Sequence, residues 1–130
     1  MKVKQPLPKY PWQKETITNA NLSSLITEYV NDPNNQQFTS SFGYGVPNTW
    51  DVSQVTDMSR LFFTVATNRS FNEDINDWDV SNVTNMGLMF RYCTNFNQPV
   101  NKWDVSKVQN MGKMFYCCKK LENLPEWYDN

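Results

Sequence analysis

The sequence predicts an α/β solenoid, with a short strand and a short helix in each repeat of about 25 residues and a capping helix in front. Three observations predict it. The phrase Trp50-Asp51-Val52-Ser53-Gln54-Val55-Thr56-Asp57-Met58 returns as Trp78-Asp79-Val80-Ser81-Asn82-Val83-Thr84-Asn85-Met86. It returns again as Trp103-Asp104-Val105-Ser106-Lys107-Val108-Gln109-Asn110-Met111. The tryptophans lie 28 and then 25 residues apart, Trp127 follows 24 further on, and an insertion of three near residues 64–70 accounts for the longer step. A second block, Phe71-Asn72-Glu73-Asp74-Ile75 before Trp78, recurs as Phe96-Asn97-Gln98-Pro99-Val100 before Trp103, with degenerate copies at 42–46 and 121–124. Finally, Ile17, Leu22, Leu25, Ile26, Tyr29 and Val30 place one apolar face on an amphipathic helix ahead of Trp50, the first repeat tryptophan.

From the N-terminus, Pro6, Pro8 and Pro11 make an extended lead. The helix over residues 17–30 stops before Asp32-Pro33, because the residue preceding a proline is pushed out of the helical region. Residues 31–41 are a polar loop. The organisation is therefore 1–41, extension and cap, then 42–130, about three coils and a C-terminal cap, together one domain.

Within a repeat, Val83, Met86, Met89, Phe90 and Cys93 fall at spacings of three, three, one and three. From Met86 onward this is one face of a short helix. Thr84 or Asn85, Thr56 or Asp57, and Asn110 supply N-cap oxygens. Gly87 and Gly112 disfavour a helix, so they mark places where neighbouring coils approach closely. The Phe-x-x-x-Ile/Val-x-x-Trp block suits a bent strand of two to four residues. Asp79 and Ser81 suit an Asx turn.

One unit cannot bury its apolar face alone. Stacking aligns Trp50, Trp78 and Trp103, then Met58, Met86 and Met111, then Phe62, Phe90 and Phe115, as columns of a shared core. Leu124-Pro125-Glu126-Trp127-Tyr128 departs from the pattern and closes the stack.

Composition narrows the function. Lys plus Arg is 12 and Asp plus Glu 13, a net charge of −1. Nucleic-acid and anionic-lipid surfaces need a basic excess, so neither partner is expected. Val, Ile, Leu and Phe make up only 29 of 130 residues, but 19 aromatics and six Met supply the missing apolar volume. The absence of histidine excludes Ser-His and Cys-His nucleophile pairs and imidazole zinc sites. The first six residues are not followed by an apolar run, and no 18 consecutive apolar residues occur, so membrane insertion is not expected. As it stands the chain reads as intracellular, or as a surface protein whose leader has been removed. Cys93, Cys117 and Cys118 are odd in number, which rules out a fully paired disulfide framework.

The phrase Trp-Asp-Val-Ser-Asn-Val-Thr-Asn-Met-x-x-Met-Phe, followed by Cys and Phe-Asn-Gln/Glu, resembles the 25-residue repeat of the BspA-like leucine-rich-repeat surface proteins. The resemblance covers residues 42–124. It implies right-handed leucine-rich-repeat-like coils and a surface or adhesion role. No leader, lipidation cysteine or wall anchor accompanies it here.

Candidate sites follow from the stacking. Asp51, Asp79 and Asp104 would form a carboxylate column, but one Asp per coil beside a Ser is better read as a turn cap than as a calcium site. Cys93 and Cys118 share a repeat position and are expected to be buried free thiols. Glu73, Asp74 and Asp77 would suit a glycosidase, yet the first two become Gln98 and Pro99 and the third Lys102 in the next copy. No catalytic residue, cofactor or metal is expected. The candidate binding face is the strand side: Asn48, Asn76 and Asn101, each two residues before a tryptophan, with Asp77 and Lys102 beside them, and Asn72, Glu73, Asn97 and Gln98. The competing reading is an Asn ladder that satisfies hydrogen bonds between rungs. The expected function is a monomeric, non-enzymatic binding module for a protein or glycan. The alternative is a structural component that self-associates through the ends of the stack.

Overall fold

The computed structural model describes residues 15–32, 34, 38, 43–63 and 68–128. The Pro6, Pro8 and Pro11 lead, most of the 31–41 loop, Phe42 and residues 64–67 of the insertion lie outside the described residues. Helix α1 is Leu22–Asn31 and buries Leu22, Leu25, Ile26 and Tyr29. It starts later than the apolar pattern suggests, because residues 18–21 form a turn first. There the Thr18 N–H donates to Asn21 Oδ1 (2.9 Å), and the Asn21 side-chain amide donates to the Thr16 carbonyl (3.0 Å).

The α/β solenoid of strand-and-helix repeats is not what forms. Among the described residues there is one α-helix, two 3-10 turns (Pro47–Thr49 and Asn68–Ser70) and no strand. Among the described residues the only pairings resembling a sheet are isolated parallel bridges, Asp57 with Asn85 and Asn85 with Asn110. The repeats do lie one on another in register, but they are built from turns.

The expected helix fails for a reason visible in its amides. The N–H groups of Met86, Leu88, Phe90 and Tyr92 donate to the carbonyls of Asn110, Gly112, Met114 and Tyr116 in the next layer, at 2.8 to 2.9 Å. Met58, Arg60 and Phe62 donate likewise to Asn85, Gly87 and Met89, each at 2.9 Å. Only the intervening amides bond locally: Met89 to Met86, Arg91 to Leu88 and Cys93 to Phe90. These are i to i+3 turns, and an α-helix cannot form once every second N–H leaves the segment. Positive φ at Arg60 (57°), Leu88 (59°), Tyr92 (62°), Lys113 (51°) and Cys117 (63°) interrupts any helical run. Each lies at the third residue of its turn, where a type II turn demands it. For these non-glycine residues the conformation costs roughly 1–2 kcal/mol apiece. The inter-layer bonds, at about 1 kcal/mol net each, offset it.

The expected strand fails because side chains hold that segment. Asn97 N–H donates to Asn72 Oδ1 (2.8 Å) and the Gln98 amide donates to the Asn72 carbonyl (3.1 Å). Backbone does not meet backbone there, so no ladder is established.

Turns also explain the apolar spacing. Ile75 to Trp78, Val80 to Val83, Met86 to Met89, Phe90 to Cys93 and Cys93 to Phe96 are each closed by an i to i+3 bond. Inward residues therefore recur at every third position, as they would on a helix. Trp50, Trp78 and Trp103, with Met58, Met86, Phe62, Phe90 and Phe115, are buried. Phe62, Phe90 and Phe115 stack at 4.9 and 5.4 Å between ring centroids, nearly parallel (11° and 6°). Trp50 lies on Trp78 at 6.4 Å and Trp103 on Trp127 at 6.2 Å. Each indole N–H also reaches one layer back: Trp78 to the Pro47 carbonyl (2.6 Å), Trp103 to Ile75 (2.9 Å) and Trp127 to Val100 (3.0 Å).

The two ends differ. At the first layer α1 covers the core through Tyr29, edge-on to Trp50. Asn19 Oδ1 accepts the N–H groups of Thr56 and Asp57. At the last layer Val105, Val108 and Met111 are only half-buried, whereas their equivalents Val80, Val83 and Met86 are no more than 1% exposed. The N–H groups of Met111, Lys113, Phe115 and Cys117 meet no acceptor among the described residues.

Trp103→Ala is expected to cost about 3–5 kcal/mol and to melt the stack as a whole. Trp103→Phe keeps an aromatic ring and loses only the indole bond to the Ile75 carbonyl, which the Trp78 N–H still satisfies, for about 0.5–1.5 kcal/mol. Chemical denaturation followed by circular dichroism measures both, and a Trp103→Ala midpoint equal to the parent's would contradict the stacked core.

Candidate functional site

Two surfaces run along the stack. The first carries the sequence-predicted face. The 3-10 turn Pro47–Thr49 presents Asn48, whose Oδ1 accepts the Asp77 N–H (2.8 Å) and whose Nδ2 donates to Asp77 Oδ2 (2.9 Å). One layer on, Asn76 Oδ1 accepts the Lys102 N–H (3.1 Å) and Asn76 Nδ2 donates to Asn101 Oδ1 (3.2 Å). Asn97 repeats the motif, accepting from Glu122 N–H and donating to Glu122 Oε1. Glu73 Oε1 accepts the Tyr29 hydroxyl at 3.5 Å. Lys102 Nζ pairs with Asp77 Oδ1. The Lys102 and Asn48 hydrogen bonds hold the Asp77 carboxyl below its usual range, and Asp77 in turn holds the Lys102 ammonium up. Both groups are exposed, so the pair contributes little to stability. All nine candidate residues are thus brought together, each spending hydrogen-bonding capacity on a neighbour.

The corner after each tryptophan is equally committed. Asp51, Asp79 and Asp104 Oδ1 accept the N–H of Ser53, Ser81 and Ser106, each at 3.0 Å. The Ser53 and Ser81 hydroxyls donate to the same oxygens. The serine bonds hold the Asp79 and Asp104 carboxyls below the ordinary value of 3.8. Among the described residues no three His, Cys, Asp or Glu side chains are grouped to hold a metal ion.

The second surface lies along the stacked turns, and sequence reasoning missed it. Asp57, Asn85 and Asn110 occupy one repeat position. Each uses Oδ1 to accept the N–H two residues on, at Ser59, Gly87 and Gly112, all at 2.9 Å. The Nδ2 groups of Asn85 and Asn110 donate to nothing among the described residues. Gly87 must be small, since a Cβ there would meet Asn110 Nδ2 at 2.8 Å. These small residues floor an open groove of about 330 Å³ walled by Arg60, Leu88 and Lys113. Beside it, Arg91 places its guanidinium over the rings of Tyr92 (4.9 Å), Phe63 (5.3 Å) and Tyr116 (5.5 Å). Its Nε is buried and has no hydrogen-bond partner. Lys113 Nζ also lies 5.5 Å from the Tyr116 ring, and Tyr116 is 47% exposed. A signal for this surface existed in the sequence: Phe63, Arg91 and Tyr116 share one repeat position, a column mixing arginine with aromatics just outside the buried Phe62, Phe90 and Phe115.

A family model described as "Mycoplasma protein of unknown function, DUF285" matches residues 33–129, a span that includes every repeat tryptophan from Trp50 to Trp127. The chain belongs to the DUF285 family. No curated protein and no solved structure matches it. Among the described residues of this DUF285 chain no helix is long and apolar enough to cross a membrane.

The three thiols of the DUF285 repeats are free. Cys93 is buried, and desolvation pushes its thiol far above the ordinary range. Cys118 donates its S–H to the Phe90 carbonyl (3.0 Å), and burial raises it to about 11. Both are protonated at neutral pH and are poor nucleophiles.

A bulky thiol reagent should therefore label Cys117 before Cys93 or Cys118 in the native protein. Peptide mapping after brief labelling reads the order, and early modification of Cys93 would contradict the packing. The carboxylates make a second prediction. A carboxyl with a lowered folded-state pKa stabilises the fold above its unfolded value and loses that contribution as pH falls through the folded one. The melting temperature should fall below about pH 4, less steeply in the Asp79→Asn/Asp104→Asn protein, which keeps the turn acceptor and removes the titration. Parallel pH profiles for the two proteins would show that these turns do not carry the acid sensitivity.

Proposed function

We propose that this chain is a non-enzymatic binding module of the BspA-like kind, and that it engages a protein or glycan partner through the surface of its stacked turns. What supports the assignment within the family is the recurring phrase from Trp-Asp-Val-Ser to Met-Phe, carried three times in register. What supports the choice of surface is a single contrast. On the Asn48–Lys102 side the polar side chains bond to one another between layers. On the turn side the Asn85 and Asn110 amide groups and the guanidinium of Arg91, whose Nε is buried, have no acceptors among the described residues, next to exposed Tyr116. Polar groups that have exchanged water for each other have little left to offer a ligand, whereas unspent donors beside aromatic rings are the usual makings of a recognition surface. The alternative role, self-association through the ends, has α1 lying across one of them.

The test is a mapping with two double variants screened on an array of glycans and immobilised matrix proteins. Arg91→Ala/Tyr116→Ala should lose whatever the parent binds, at least tenfold. Asp77→Ala/Lys102→Ala should bind as the parent does and keep its stability within about 0.5 kcal/mol. The reverse pattern would return the binding face to the Asn48–Lys102 side, and a parent that binds nothing on either array would overturn the reading.

A further inference from the structure

Arg91 is the least explained polar residue of the molecule. A guanidinium held between three rings has its plane fixed, and ring faces satisfy its charge without using its hydrogen atoms. No hydrogen bond from it is formed among the described residues, and its Nε is buried. A buried donor without a partner is costly unless something supplies the acceptor. With Nε buried, the two terminal nitrogens of the planar fork are the pair that matches a two-oxygen anion, such as a carboxylate or sulfate, in bidentate geometry.

The surroundings extend that preference. Arg60 and Lys113 occupy the same repeat position two layers apart, with Leu88 between them. Hydrogen-bonded layers are spaced about 4.8 Å apart, so these two side chains root roughly 10 Å from each other along the stack. The Nδ2 groups of Asn85 and Asn110 lie in the groove between, and Tyr116 exposes a ring at its margin. Cations at intervals, amide donors between them and an open aromatic ring fit a chain of sugars bearing acidic groups. A peptide fits less well. Its backbone needs main-chain partners, and along the groove the N–H groups of Met58, Arg60, Met86, Leu88 and Phe90 are already bonded to the next layer, which leaves only those of the last layer, at one end.

We propose that the turn face binds an acidic glycan, with Arg91 taking a carboxylate or sulfate group, Arg60 and Lys113 its neighbours, and the Asn85 and Asn110 amides the hydroxyls between. This rests on the turn face being the binding surface and names the ligand class it takes.

The experiment is calorimetric titration of the full chain with four probes: a uronic-acid oligosaccharide, a sulfated oligosaccharide, a neutral oligosaccharide and an oligoglutamate of matching charge. One or both acidic sugars should bind, more weakly at high salt, and which of them binds tells carboxylate from sulfate as the source of the anion. The neutral sugar should not bind. Arg91→Gln should weaken binding at least tenfold and Lys113→Gln severalfold. Arg91→Lys, which keeps the charge but not the fork, should recover only part of the loss. Thermal melts of each variant separate lost binding from lost folding, and the exposed Lys113→Gln tests the groove even if the Arg91 variants unfold. Oligoglutamate binding as tightly as the acidic sugars, or neither acidic sugar binding, would overturn the glycan assignment. If the array screen still maps a different ligand to Arg91 and Tyr116, the surface stands and only its ligand class falls.

Discussion

The indole N–H of one layer, donated to the carbonyl three residues before the tryptophan of the layer above, is the constraint on which the stack depends. Three successive tryptophans make this bond in the same way. It fixes two things together. The ring is oriented flat against its neighbours, so large apolar area is buried as a column. The same bond adds a second donor to a carbonyl that already closes an i to i+3 turn, and so ties that turn to the next layer. A phenylalanine supplies only the first, which is why the other columns can be Phe or Met while this one is tryptophan in every copy. Trp50, with no layer of the same kind above it, turns its N–H to the Gly45 carbonyl instead (2.8 Å).

Once the tryptophans set the register, the remaining polar groups follow. Amides alternate between a turn within the layer and a carbonyl in the next. Asp and Asn side chains occupy the corners where the backbone supplies no partner, capping turns after each tryptophan and bridging layers on the opposite side. The chain needs no long strand or helix to satisfy itself, because its neighbour of the same sequence lies one rung away. That is how a domain with so few aliphatic residues closes a core around aromatic rings and methionine.

The period, the tryptophan, methionine and phenylalanine columns, the serine-capped aspartates and the existence of α1 were all legible in the sequence, since each is a statement about which residues recur. Backbone conformation was not. A run of apolar residues three apart is produced equally by a helix and by consecutive turns. The deciding quantity, whether the Leu88 and Phe90 amides bond inside the layer or outside it, is a tertiary fact. The nine candidate binding residues illustrate the same limit. Their alignment in a column was readable, but whether aligned amides face a ligand or each other depends on a layer separation that only the fold sets. Arg91 escaped notice for the converse reason: its column changes chemistry at each copy, and it is the mixture of ring and cation across copies that gives the site its character.

The inter-layer amides of residues 58–62 and 86–92 all give in one sense, toward the C-terminal layer. In an ordinary sheet neighbouring peptide dipoles alternate and cancel. Along these turns they add, so the stack has a head and a tail as a filament subunit does; only at Thr84 and Gln109, whose N–H groups give back to the Thr56 and Thr84 carbonyls, is the sense reversed. The tail offers hydrogens at Met111, Lys113, Phe115 and Cys117, and at Gln109 the carbonyl whose equivalents, Thr56 and Thr84, accept from the layer that follows. Two tails related by a two-fold axis would set like groups against each other at these turns, and α1 sits across the core at the head. Growth of this architecture is therefore vectorial: a segment that extends it through the backbone must bring carbonyls to the turns and an N–H to Gln109.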